Sequence, residues 1–391
     1  MATLVKTDLL PELRRFGAGD ISACFNCGVC TATCPLSVDG VAFPRRMARY
    51  AQLGQREKLL ASPELWSCYG CSECTEKCPT QADPAAFMAA ARRYAVASYD
   101  RTHLAYLLAT SRWFAAAFVT ALVAVLAGFM YSVHGPTDGS RLAFFEFVPE
   151  DTVHWLGIVA MAVMGVGAVI GLVEMVRRVL RGPGSVARQQ AMGRLVPAAW
   201  DSIAVESLAQ KRFREDCADG NDPVYATDVT DPDARRPLYL RRWFLHFATM
   251  WGFLGLFGAT LADYGLSFLN IVPTGTPQPI WYPVRLLGTV AGAALIYGTS
   301  VLLYRRFRKA DRASENSTTS DWLFLAMLWV AGMTGFSLEL GLYLPSPQPW
   351  GYPMFLVHVG VAMALVLLIP FGKFAHVMYR PVALFAIRLR G

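Results

Sequence analysis

The chain has 391 residues, of which 54% are hydrophobic and only 17% charged, with a mean hydropathy of +0.35. A soluble domain carries roughly 25% charged residues, so this composition excludes a wholly soluble enzyme and a disordered chain, and points to a membrane protein with soluble mass attached. The net charge of +7 is spread beside apolar segments rather than gathered in a basic arm, which argues for a membrane-topology signal and against nucleic acid as a partner.

Residues 1–110 are polar and cysteine-rich. The opening MATLVKTDLLPELRR has no apolar core and no cleavage site, so it does not read as a signal peptide. Eight of the nine cysteines fall within residues 24–78, and in a reducing compartment such a group binds metal rather than forming disulfides. They make two copies of one pattern, Cys24-x2-Cys27-x2-Cys30-x3-Cys34-Pro35 and Cys68-x2-Cys71-x2-Cys74-x3-Cys78-Pro79. This is the spacing of bacterial two-cluster ferredoxins, in which the fourth cysteine of each run ligates the other cluster. The expected ligands are Cys24, Cys27, Cys30 and Cys78 for one [4Fe-4S] cluster, and Cys68, Cys71, Cys74 and Cys34 for the second. A single such run also suits zinc, which takes four thiolates; two copies, each closed by Cys-Pro, favour clusters. Gly28 and Gly70 lie where backbone must pass close to a cluster. The runs 43–54 and 83–94 read as helices, the first ended by Gly54 and the second with Pro84 in its first turn.

Six apolar stretches follow, at 113–132, 153–173, 243–262, 286–304, 322–343 and 354–371, each close to the roughly 20 residues that cross a bilayer. The connection 177–242 carries twelve Lys/Arg and 305–312 carries five, whereas 133–152, 263–283 and 344–353 together carry only Arg141. By the positive-inside rule the basic connections are cytoplasmic. Six spans then put both termini and the cysteine region on the cytoplasmic face of a bacterial or archaeal membrane. The expected fold is all-α: a small helical two-cluster ferredoxin-like domain (1–110) fused to a six-helix transmembrane cytochrome b bundle (111–391). Within the loop 177–242, the acidic run 216–233 is either an ordered cap or partner surface, or a linker. Cys217 has no partner spacing and reads as an ordinary thiol.

The six histidines carry the next signal. His358 and His376 are 18 residues apart, which on one continuous helix is five turns and about 27 Å of rise. Both imidazoles are then expected on one face at opposite membrane depths, as two stacked b-type haems require. Histidine supplies a neutral nitrogen without burying a charge. His246 and His376, both at the cytoplasmic level, are the expected ligands of a proximal haem b. For a distal haem, His154 is the first partner for His358 and His134 the second. The alternative for each is a histidine that packs or hydrogen-bonds without metal, and His103 reads as interfacial. Three charges stand near the outer ends of spans: Glu339, Asp263 and Arg285. Intramembrane charge marks function by default, and these groups are candidates for a quinone head-group or proton site. Equally, Arg285 can neutralise a haem propionate or pair with Asp263 or Glu339. Lys373 can serve propionates or snorkel.

The stretches CFNCGVCTATCP and LWSCYGCSECTEKCPTQADPAAFMAAARRYA resemble the two-cluster electron-carrier subunit of heterodisulfide reductase. HVGVAMALVLLIPFGKFAHV and RRWFLHFATMWGFLGLFG resemble two ligand helices of the respiratory nitrate reductase gamma subunit, except that Leu256 replaces a second histidine, so His154 is a substitute rather than a carried-over ligand. The fusion of both parts is similar to the membrane subunit of the quinone-interacting membrane-bound oxidoreductase complex. That resemblance implies an electron path between menaquinone and cytoplasmic flavin and iron–sulfur subunits, in the adenylylsulfate reductase branch of sulfur metabolism. The chain has neither adjacent cysteines nor a dinucleotide fingerprint, so chemistry on a soluble substrate is expected of another subunit. A quinone-linked subunit of a heterodisulfide reductase-like or hydrogenase-like enzyme, and a membrane redox sensor, are the rival readings.

Overall fold

The computed structural model describes residues 5–37, 42–137, 142–182, 193–218, 236–272, 278–310, 312–344 and 348–390. Arg141, the acidic run from 219 onward and the Cys217 side chain lie outside the described residues. All regular structure among the described residues is helical.

The cysteine region is built on the helix Pro84–Tyr99. Asp83 caps it by accepting from the Ala86 amide at 3.1 Å, and Pro84 opens it where no amide donor is needed. Its alanines let other helices approach closely. Leu9 and Leu13 of Leu9–Arg15, Met47 and Ala51 of Arg45–Gln52, and Leu59, Leu65 and Trp66 bury against it.

Five helices are long and apolar enough to cross a membrane: Arg112–Ser132, Glu150–Arg181, Arg242–Phe268, Pro283–Phe307 and Thr319–Gly341. The chain is a multi-pass membrane protein. These correspond in order to the first five expected spans. The third and fourth touch backbone to backbone, because a Cβ on Gly252 would stand 2.6 Å from the Leu295 nitrogen; small residues let membrane helices come this close.

The expected sixth span is different. Its helix is Gly351–Leu367, 17 residues long, and it does not continue to His376. The chain turns through 368–372, forms a short 3-10 turn at Lys373–Ala375, and starts a new helix at His376–Arg390. Pro370 is the cause: it has no amide to donate and it biases Ile369 out of helical geometry. The periodicity that put His358 and His376 on one face therefore does not apply.

The break redirects the C-terminal helix into the core of the cysteine region. Tyr379 is 1% exposed and lies 5.0 Å from Trp66 and 5.3 Å from Tyr99, ring centre to ring centre. Met175 and Val179, at the inner end of the second span, share this core. Tyr99 donates to the Leu60 carbonyl at 2.7 Å, and Arg178 reaches Glu57 at 2.7 Å. Gly171 leaves room for Tyr379: a Cβ there would stand 2.1 Å from the phenol oxygen but 3.2 Å from the ring carbon bearing it. Gly171→Ala should therefore destabilise the detergent-solubilised protein by about 1–3 kcal/mol of overpacking. Adding Tyr379→Phe should return most of the loss in thermal midpoint, since the clash is with the hydroxyl.

Candidate functional site

Each cysteine run wraps a loop that ends in a one-turn helix, Val29–Ala32 or Glu73–Glu76. Both loops hold two left-handed residues two apart: Asn26 (φ 62) and Gly28 (φ 91) in the first, Gly70 (φ 75) and Ser72 (φ 74) in the second. Alternation of this kind turns successive amides toward one concavity, an anion-binding nest. The two expected glycines are thus not equivalent positions. Asn26 matches Gly70 and Ser72 matches Gly28, and a comparison of backbone roles between the two copies was the signal that could have found them.

The thiols fall into two groups. Cys34, Cys68, Cys71 and Cys74 line one cavity, while Cys30 feels the charges of Cys24, Cys27 and Cys78 and also reaches Cys34 and Cys74 across the gap between the groups. The fourth cysteine of each run thus joins the other group. Burial pushes Cys34 up to about 11 and Cys71 up to about 12. Metal must replace those protons on binding. Burial also opposes ionisation of Cys78, but Thr80 and the amides of 80–82 outweigh it and hold that thiol below its ordinary value. Among the described residues no three Cys, His, Asp or Glu converge on a single ion.

The two groups have different surroundings. Cys27 is exposed, and Phe25 beside it is 65% exposed. The second group lines a cavity closed by Phe43, Pro44 and Met88. Arg242, which opens the third span, reaches the carbonyls of Gly70 at 3.4 Å and Cys71 at 3.3 Å, and Arg92 donates to the Cys68 carbonyl.

From the second loop a line of rings leads inward. Tyr69 lies 5.6 Å from Phe213, Phe213 lies 5.7 Å from His246, and His246 lies 6.3 Å from His376, centre to centre. The Nδ1 of His246 donates to Gln210 Oε1 at 3.1 Å and that of His376 to the Lys373 carbonyl at 2.7 Å. Fixing one ring nitrogen this way is the usual support of a metal-binding imidazole and leaves Nε2 as the ligand atom. With metal–nitrogen bonds of about 2 Å, two imidazoles on opposite sides of one ion have centres on the order of 6 Å apart, so the donor set and its spacing fit. Desolvation holds His376 down to about 4, with Lys373 and Arg380 adding to it, so the ring stays neutral at physiological pH. Gln210, Phe213 and Tyr69 carry no sequence spacing that announces them.

The other histidines have other partners. His154 sits 3.6 Å from Glu150 and edge-on to Tyr264 at 4.5 Å. His358 pairs with Thr334 at 3.0 Å. His134 reaches the Gly135 carbonyl at 2.8 Å, and His103 is exposed. Of the three outer charges, two meet: Glu339 accepts from Thr289 at 2.7 Å and lies 3.6 Å from Arg285, which also covers the Tyr343 ring. Asp263 is exposed. Lys373 binds Asp321, whose other oxygen lies 3.7 Å from Arg93 of the cysteine region.

Comparison with known proteins covers both parts of the chain. Residues 20–82 match a 4Fe-4S dicluster domain, and residues 100–391 match the family described as citrate utilization protein B. The chain belongs to the citrate utilization protein B family. It is 33% identical to citrate utilization protein B of Escherichia coli over 142 residues, 36% of either chain. It is 24% identical to a subunit of the dihydromethanophenazine:CoB–CoM heterodisulfide reductase of Methanosarcina mazei over 157 residues, 37% of this chain and 59% of that one. The matched regions thus span less than two thirds of either relative. No solved structure matches the chain. It is a membrane iron–sulfur electron-transfer protein with two [4Fe-4S] clusters, held by the eight cysteines.

Two outcomes follow for the clusters. Cys34→Ser and Cys74→Ser should remove the same cluster, and Cys27→Ser and Cys78→Ser the other, as read by iron content and by which electron paramagnetic resonance signal is lost. Arg242→Gln should lower the potential of the second cluster alone, by on the order of 60 mV, because the lost positive charge favoured the reduced state; a redox titration checks it.

Proposed function

We propose that this protein carries electrons between a membrane quinone and a cytoplasmic flavin or iron–sulfur partner, with one haem b held by His246 and His376. The observation that carries the reading is the line of rings from that histidine pair to the second cysteine group. When bound, haem and clusters supply one-electron transfer. The chain's own residues do the rest. Gln210 and the Lys373 carbonyl orient the imidazoles. Phe213 and Tyr69 fill the space between His246 and the second cysteine loop with packed rings rather than water. The exposed edge at Phe25 and Cys27 is where a soluble partner would meet the first cluster. Electron flow in either direction is compatible with these ligands.

Several further points support the setting. The basic connections favour a cytoplasmic location for the cysteine region. The named relatives include part of a heterodisulfide reductase and a citrate utilization protein, so the reading gives the soluble chemistry to a partner chain and leaves its substrate to that chain; an adenylylsulfate reductase system is one such partner by resemblance. A single haem is proposed, because the rings of His246 and His376 face each other, whereas His154 is turned to Glu150 and Tyr264.

The test is an anaerobic visible spectrum of the solubilised protein during addition of a menaquinol analogue, then dithionite, with haem b measured per chain. One haem, reduced rapidly by the quinol and lost in both His246→Ala and His376→Ala, is the expected result. Two haems would restore a distal site at His154 and His358. Haem absent from protein with intact clusters would overturn the histidine assignment. Phe213→Ala should keep haem and clusters but slow electron transfer between them, seen as haem reduced ahead of clusters in stopped flow.

A further inference from the structure

The outer charges Glu339 and Arg285 satisfy each other, and a second place in the molecule offers a better head-group site. Between the inner ends of the first and fifth spans and the turn after Leu367 lies a partly open recess of about 40 Å³, room for the edge of a ring that enters from the side, lined by Leu108, Val119, Met327 and Leu365, with Ser320 and Lys373 as its polar groups. Four of the apolar walls are 4–8% exposed and four more, Leu323, Phe324, Leu368 and Phe374, are half-buried, while the Lys373 side chain keeps 37% exposure. Among the lining residues only Lys373 is charged, and Asp321 already balances it. An ammonium has three N–H donors, so one ion pair leaves donors for a further acceptor. An anionic lipid phosphate asks for uncompensated charge; a neutral carbonyl oxygen asks only for a donor. Apolar walls with a few placed donors are the usual form of a small-molecule site.

The cavity also touches the electron path. Phe374 forms part of its lining, packs against Phe253 at 4.7 Å and Phe324 at 5.1 Å, and belongs to the 3-10 turn that leads into His376. Phe253 stands seven residues after His246, two turns along the same helix face. The same Lys373 whose side chain enters the cavity offers its carbonyl to His376.

We propose that this inner cavity binds the head group of an isoprenoid quinone, with Lys373 donating to one carbonyl, Ser320 at the polar end, and the tail between the apolar walls. The inference rests on the quinone reading above and gives it a place opposite to the outer charges. The test uses the full chain in detergent and a fluorescent alkyl-hydroxyquinoline N-oxide as quinone analogue, followed by quenching. Lys373→Gln should weaken binding by about tenfold, the loss of one hydrogen bond to a charged group, and the cavity-filling Met327→Trp should weaken it by about as much by occupying the space of the ring. Lys373→Arg should keep most of it, and cluster iron should be unchanged in all three. Met327→Trp leaves the Lys373–Asp321 pair intact, so it decides the matter if Lys373→Gln fails to fold. Menaquinone should displace the probe; displacement by phosphatidylglycerol alone would overturn the proposal in favour of a lipid site. Full binding in Met327→Trp with loss in Glu339→Gln would move the quinone to the outer side and overturn this site while keeping the function. No binding to the unaltered protein would overturn the quinone function itself.

Discussion

The break at Pro370 is the constraint on which the rest of the molecule depends. A helix continued through 368–372 would carry the C-terminal residues straight out of the bundle. Because it stops at Leu367, the chain turns, and the first turn of the new helix carries two neighbouring rings into two environments. His376 faces His246 at the end of the third span. Tyr379, three residues on, is sealed among Trp66, Tyr99 and Gly171. One rigid helix therefore ties the position of a membrane-level imidazole to the core of the cysteine region. Rocking one against the other would have to open a core in which Tyr379, Tyr99 and Trp66 are almost fully buried, and dense cores resist that.

The Asp321 node acts in the same direction by electrostatics. Asp321 belongs to the fifth span and is 5% exposed. It caps its own helix through Thr318, binds Lys373 from the turn before His376, and faces Arg93 from the helix Pro84–Tyr99. Asn316 adds a hydrogen bond to Asp83 at 2.7 Å. Buried ion pairs return little net stability, because desolvation offsets their attraction. What they do is penalise separation, since any displaced member leaves a buried charge uncompensated. Here three parts of the chain meet at one carboxylate, which fixes their register more than it strengthens the fold.

How much of this was legible follows from how local each signal is. The eight cysteines and their two clusters were legible because ligand spacing is written in consecutive residues. Five spans were legible because hydropathy is additive along the chain. The sixth was read past its inner end: its apolar helix is Gly351–Leu367, and residues were counted through Pro370, although a proline there is itself a local stop signal. His246 and His376 do come together, but through the turn rather than through the 18-residue periodicity that first paired His376 with His358 on one face. Gln210, Phe213 and the Arg93–Asp321 pair join segments from 33 to 228 residues apart, and no spacing rule reaches that far. The outer charges were legible as a group, yet only two of the three meet, because Asp263 faces outward from the end of its helix.

The duplicated cysteine run also explains how a symmetric motif serves an asymmetric path. In each copy the residue after the first cysteine is aromatic: Phe25 after Cys24, Tyr69 after Cys68. The two loops share their left-handed positions, so these rings leave equivalent points of equivalent loops. Their surroundings then differ entirely. Tyr69 meets Phe213 and through it His246, while Phe25 is left largely in solvent. The difference is imposed from outside the motif, by Arg242 on the carbonyls of Gly70 and Cys71 and by the helix Lys211–Ala218 that brings Phe213. A local duplication thus supplies two identical exits, and the membrane part closes one onto the histidine pair. The other is turned outward, where an electron carrier in the proposed role needs an aromatic, partly apolar contact for a second protein.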